Sequence, residues 1–154
     1  FFFLEEWFPY CCSSCQGRVH WNVPGTQKQV WYKYQDMIIC KHFSFDSAHF
    51  LPKVPEGHKC KGIHGHTYRL TLYFEGKLDN ELGWVMDFTD IKEAVNPIIE
   101  CVDHKLLNNI AGLENPTCEH IAIWLWNRIK DKVPQLCRIR LYETPTSGIV
   151  YEGV

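Results

Sequence analysis

From residue 38 onward the chain alternates apolar and polar side chains in the way an extended backbone uses them. In IICKHFSFDSAH, residues 38–49, Phe43, Phe45 and His49 share one face, because successive side chains of a strand point to opposite sides. The run HTYRLTLYFEG repeats the pattern, with Tyr68, Leu70, Leu72 and Phe74 on one side and Thr67, Arg69, Thr71 and Tyr73 on the other. Between the two lies a stretch punctuated by Pro52, Pro55, Gly57, Gly62 and Gly65, residues that favour turns. An antiparallel hairpin with a long connection is expected.

The period then lengthens from two to three and four. Asp87 is placed to cap a helix whose apolar stripe is Ile91, Ala94, Val95, Ile98, Ile99 and Val102, and Pro97 inside it predicts a bend or a break. NPTCEH supplies a second helix start at Pro116 or Thr117, with Ile121, Ala122, Leu125 and Ile129 as the buried stripe before Pro134. Two strands close the chain: LCRIRLYET, with Cys137, Ile139, Leu141 and Glu143 in phase, and GIVYEG after the Ser147-Gly148 turn. The order β-β-α-α-β-β predicts an α+β domain, an antiparallel four-stranded sheet with two helices on one face.

Residues 1–36 stand apart. They begin FFFLEEWFPYCCSSCQG, are dense in aromatics, and show neither strand alternation nor a helical stripe. The ordered parts of a signal peptide are missing, and the first methionine, Met37, directly precedes the first patterned strand. The domain is therefore expected to span 37–154, with 1–36 an atypical extension outside it. The rival reading of Cys11, Cys12, Cys15 and His20 as a zinc knuckle matches no finger or ribbon spacing.

Composition narrows the class. A chain of 154 residues is a one-domain length that buries a real core. A net charge of −2 speaks against nucleic acid as the main partner, since phosphate binding calls for a positive excess. No apolar run approaches the roughly 20 residues of a membrane span. Of eight cysteines, three crowd the first segment, while Cys40, Cys60, Cys101, Cys118 and Cys137 are scattered singly. That fits free thiols in a reducing, cytoplasmic compartment better than a disulfide framework.

The segment CKGIHGH, residues 60–66, carries the chemistry. His64 and His66 are two apart and project from one face of a strand, and His49 ends the neighbouring strand. Three neutral imidazoles with one position left open make a catalytic zinc site, whereas a structural site closes with four ligands. Cys60, between Lys59 and Lys61, is a thiol whose neighbours favour the thiolate, suited to act as base or nucleophile. Asp103-His104 falls where the first helix ends; it reads either as a carboxylate orienting an imidazole for proton transfer or as a helix cap. Glu143, on an otherwise apolar strand face, is either a rim residue or aimed at a ligand with paired N–H donors. His20, His42, His58 and His120 have no phase relation to the trio and read as solvated surface.

AHFLPKVPEGHKCKGIHGHTY, GWVMDFTDIK, VDHKLLN, GLENPTCEHIA and YETPTSG together resemble the 6-pyruvoyltetrahydropterin synthase family, in order from about Ile38 to the C-terminus. The short Cys-x-x-x-His-Gly-His spacing is similar to its bacterial queuosine-pathway branch. The resemblance implies zinc held by His49, His64 and His66, Cys60 as catalytic base, and Asp103 with His104 as a proton relay. It further implies that Glu143 anchors a pterin through its N–H edge, with Thr117 assisting from a neighbouring subunit. The implied fold is the tunnelling fold, whose sheets join into a barrel across subunits with active sites at the boundaries, in a homo-oligomer, by analogy a hexamer of two trimers. The implied reaction turns 7,8-dihydroneopterin triphosphate into 6-carboxytetrahydropterin, acetaldehyde and triphosphate. The alternatives are 6-pyruvoyltetrahydropterin formation on the same scaffold and a non-enzymatic, zinc-stabilised assembly module.

Overall fold

Two long strands of alternating pattern and two amphipathic helices organise the computed structural model, which describes residues 18–22, 29–33 and 36–153. Strands β1 (Arg18–Asn22) and β2 (Gln29–Lys33) pair with each other antiparallel. This ribbon forms although the first 36 residues show no strand alternation in the sequence. Val19, Trp21, Val30, Trp31 and Tyr32 are β-branched and aromatic types that suit a pleated ribbon, in runs too short for alternation to stand out. The zinc-knuckle reading of Cys11, Cys12, Cys15 and His20 rests on side chains outside the described residues.

Strand β3 (Met37–His49) pairs antiparallel with β4 (His64–Gly76) along their whole length, from Met37 opposite Gly76 to His49 opposite His64. Helix α1 (Phe88–Glu100) follows, then the two-residue strand β5 (Lys105–Leu106), helix α2 (Cys118–Lys132), β6 (Leu136–Thr144) and β7 (Ser147–Tyr151). The sheet order is β5-β3-β4-β6-β7, with β5 running parallel to β3 at Ser47 and Ala48. The sheet is thus five-stranded and mixed, not the antiparallel four-stranded sheet expected. A strand of two residues has no period to read; it forms because the chain leaving α1 turns through His104 and runs along the edge of β3, where the His104 N–H donates to the Asp46 carbonyl at 2.6 Å.

The core lies on the face that the alternation marks. Tyr68, Leu70, Leu72 and Phe74 from β4 are buried with Phe45 from β3 and Ile139 and Leu141 from β6, against the α1 and α2 stripes. Phe45 stacks on Tyr68 with centroids 4.9 Å apart. Both helices start where expected: Asp87 accepts from the Thr89 N–H at 2.7 Å, and Thr117 is the N-cap of α2. Pro97 does not break α1, which continues to Glu100. So near the helix end the missing N–H forfeits one backbone bond and little else. In β6 the expected phase fails at one point. Tyr73 pairs with Arg138 and Phe74 with Leu136, so Cys137 is the extra residue of a bulge, and Leu136, not Cys137, enters the core. Such an insertion shifts the side-chain phase by one.

Candidate active site

The register of the central hairpin builds the site. His49 is the last residue of β3 and lies opposite His64, the first of β4, while His66 follows two residues on along the same face. One ring nitrogen from each lies within 4.8 Å of the others, with ring centroids 4.5, 5.2 and 5.0 Å apart for the three pairs. His49 is only 1% exposed. Its Nδ1 donates to the Pro116 carbonyl at 2.8 Å, and His64 Nδ1 donates to the Gly62 carbonyl at 2.8 Å. Those bonds fix the tautomers that leave both Nε2 lone pairs directed away from the backbone, the outer support that metal-binding histidines use.

The donor set fits a divalent ion. His49 Nε2 is buried without a hydrogen-bond partner, and burial holds the His49 imidazole below its ordinary pKa, favouring the neutral form. The nearest acidic atom is Glu143 Oε1, 3.4 Å from His49 Nε2 and 3.8 Å from His66 Nε2. An imidazole lone pair facing a carboxylate repels it unless a cation lies between them. Three imidazoles with an open fourth position are the donor set of catalytic zinc.

Beside this centre is a cavity of about 320 Å³ lined by Leu51, Thr117, Cys118, Glu119, Glu143 and the first residues of β7. Thr117 and Glu143 therefore face one cavity within a single chain. The Cys118 thiol is pushed up to about 12 by burial, which keeps it a neutral packing group.

Cys60 is half-exposed in a short 3₁₀ turn, Lys59–Lys61, whose N-cap is His58. The Cys60 carbonyl accepts from the Leu51 N–H at 2.8 Å, tying the turn to the chain just beyond His49. The thiol itself is not among the atoms clustered with the three imidazoles.

Asp103 and His104 do come together: His104 Nδ1 stands 2.9 Å from Asp103 Oδ2. Their partner is Asp46, absent from the sequence-derived set. Its backbone N–H donates to Asp103 Oδ1 at 2.9 Å, and its carboxylate accepts from Thr67 and lies in one cluster with the pair. The Asp46 backbone bond, then the His104 contact, hold the Asp103 carboxyl below the usual carboxylate range. His104 is the only non-glycine with positive φ among the described residues, at 55°; such strain persists where surrounding structure enforces it. Asp46 alternates with Phe45 and Ser47, so its side chain leaves β3 on the face opposite His49. Asp46 and Thr67 carried only the signal of polar positions on a solvated strand face, which does not single them out.

A family profile described as 6-pyruvoyl tetrahydropterin synthase matches residues 38–154. The chain belongs to this family. A member from Synechocystis, 6-carboxy-5,6,7,8-tetrahydropterin synthase, is 40% identical over 120 residues, 74% of this chain and 92% of its own. The dihydroneopterin monophosphate aldolase of Pyrococcus furiosus is 38% identical over 112 residues, covering 71% of this chain and 91% of its own. Among solved structures, the 6-pyruvoyl tetrahydropterin synthase of Caenorhabditis elegans superposes with a TM-score of 0.74 at 24% identity, over 80% of this chain and 99% of that one. That superposition shows the 6-pyruvoyl tetrahydropterin synthase fold. Among the described residues no helix is long and apolar enough to cross a membrane.

Proposed function

We propose that this chain is a zinc-dependent lyase that converts 7,8-dihydroneopterin triphosphate and water to 6-carboxy-5,6,7,8-tetrahydropterin, acetaldehyde and triphosphate, in the cytoplasm, on the route to queuosine. The carrying observation is the buried, unpartnered His49 Nε2 facing the Glu143 carboxylate at one edge of a cavity sized for a small ring. The names borne by the Synechocystis relative and by one from Haemophilus influenzae, 36% identical, support the carboxy-forming reaction.

His49, His64 and His66 hold the ion, which when bound supplies Lewis acidity to the side-chain hydroxyls of the substrate. Glu143 accepts from the N–H edge of the pterin, a charge-assisted contact that orients the ring, with Thr117 lining the same cavity. Cys60, on the turn tethered beside His49, takes a carbon-bound proton. His104, oriented by Asp103, handles the opposing proton transfer. Because the Asp46–Asp103–His104 cluster belongs to the other face of β3, this reading assigns the relay at a given centre to a neighbouring copy, in a homo-oligomer that family likeness makes a hexamer.

Incubation of the zinc-loaded protein with 7,8-dihydroneopterin triphosphate tests the reading. Acetaldehyde and 6-carboxytetrahydropterin are the expected products by mass spectrometry. A pyruvoyl product without acetaldehyde would move the chain to the sister activity. A hydroxymethyl pterin would favour the aldolase chemistry named for the Pyrococcus relative, whose 38% identity makes it the second reading. No turnover of either the triphosphate or 7,8-dihydroneopterin monophosphate would leave a zinc-stabilised assembly module.

A further inference from the structure

Tyr68 was marked by its phase as a core residue, and its ring is fully buried and stacked on Phe45. Phase says nothing about the hydroxyl, which ends between two groups of the site. It lies 3.3 Å from Glu143 Oε1 and 3.5 Å from His49 Nδ1. The His49 Nδ1 proton is already committed to the Pro116 carbonyl at 2.8 Å, so the Tyr68 hydroxyl proton goes to Glu143. Among the described residues it is the only hydrogen-bond donor to that carboxylate. A phenol carries its proton at neutral pH and is therefore available as a donor.

The same oxygen, Oε1, is the one closest to His49 Nε2 and His66 Nε2. An ion held by the imidazoles therefore competes for the atom that Tyr68 holds. We propose that Tyr68 is a positioning residue that restrains the Glu143 carboxylate, so that it serves the N–H edge of a bound pterin rather than becoming a further ligand of the metal. This rests on the reading of Glu143 as ring anchor, and it adds what decides between two uses of one carboxylate. A hydroxyl lost from a charged acceptor is worth about a 10- to 150-fold change in an equilibrium.

The test is a double-mutant cycle on the zinc-loaded protein with neopterin as probe, binding followed by calorimetry. Tyr68→Phe retains the ring and its stack on Phe45, so thermal melts of variant and parent are expected to agree within a few degrees. Tyr68→Phe is expected to weaken neopterin about 10-fold, Glu143→Gln to weaken it at least as much, and the double variant to bind no worse than Glu143→Gln alone. Residues acting through one another behave in this non-additive way, whereas a merely structural tyrosine adds its effect independently. In cobalt-substituted protein, Tyr68→Phe is expected to lower the visible absorption as the released carboxylate raises the coordination number. Parent-like neopterin binding by Tyr68→Phe, additive effects in the cycle, or an unchanged cobalt spectrum each overturn the proposal. Parent-like binding by Glu143→Gln overturns the anchor reading itself, a separate and recognisable failure.

Discussion

His49 has one nitrogen committed to a carbonyl and the other buried without a partner, the arrangement that the proposed metal-ligand role calls for. Removing a neighbour should abolish that role: His64→Ala is expected to lower zinc affinity by more than about 100-fold, since loss of outer support alone costs 10- to 100-fold. Elemental analysis after dialysis reads the result, and full zinc retention would refute the ligand assignment. Cys60→Ala should keep its zinc but lose about 10²- to 10⁴-fold in turnover, the range for removal of a general base; an unchanged rate would strip Cys60 of that role. The pH behaviour belongs to Asp103. Its folded pKa lies below the ordinary 3.8, so its contribution is complete above about pH 4 and is lost as pH falls through the depressed value. A carboxyl NMR titration with a midpoint at or above 3.8 would contradict the Asp46 and His104 contacts. The histidine triad was legible because strand alternation alone decides which side chains share a face. The tie from Asp46 to Asp103 and the reach of the Tyr68 hydroxyl were not, because each depends on residues brought in from distant elements.

At the level of elements, the helix starts were legible to within a residue because they are chemical, whereas α1 ends at Glu100, short of the Val102 and Asp103-His104 where its end was expected. Asp87 binds the Thr89 N–H, so Asp87→Ala is expected to cost about 0.5–2 kcal/mol in urea unfolding while leaving zinc content untouched. Leu72 is fully buried in the middle strand, and Leu72→Ala should cost about 2–5 kcal/mol by the same measurement. A smaller loss would mean the sheet face is less tightly packed than its burial indicates. What the pattern missed were the short and the irregular pieces. Strand β5 has two residues, β1 and β2 have five each, and the bulge at Cys137 exchanges which of two adjacent apolar residues goes inward. Periodicity needs length, and a bulge interrupts it.

On the scale of the whole molecule, the sheet divides the chemistry. One face carries the helices, the core, the three imidazoles and the Glu143 cavity, and the Asp46–Asp103–His104 cluster is anchored to the other. The same sheet has unequal edges. Strand β5 covers only Ser47 and Ala48 of β3, and Asp46 is bonded to Asp103 and His104, so from Met37 to Phe45 the outer side of a thirteen-residue strand has no paired strand among the described residues. Its Met37 and Ile38 side chains are about half exposed, at 46% and 54%. Open backbone of this kind is a template for another strand. In hydrogen–deuterium exchange, a chain kept dilute should therefore lose protection first along the outward amides of Met37–Phe45, while those facing β4 stay slow. Raising the protein concentration should close the gap if copies zip along this edge, and that difference between two rows of one strand would mark where the molecule meets its own kind.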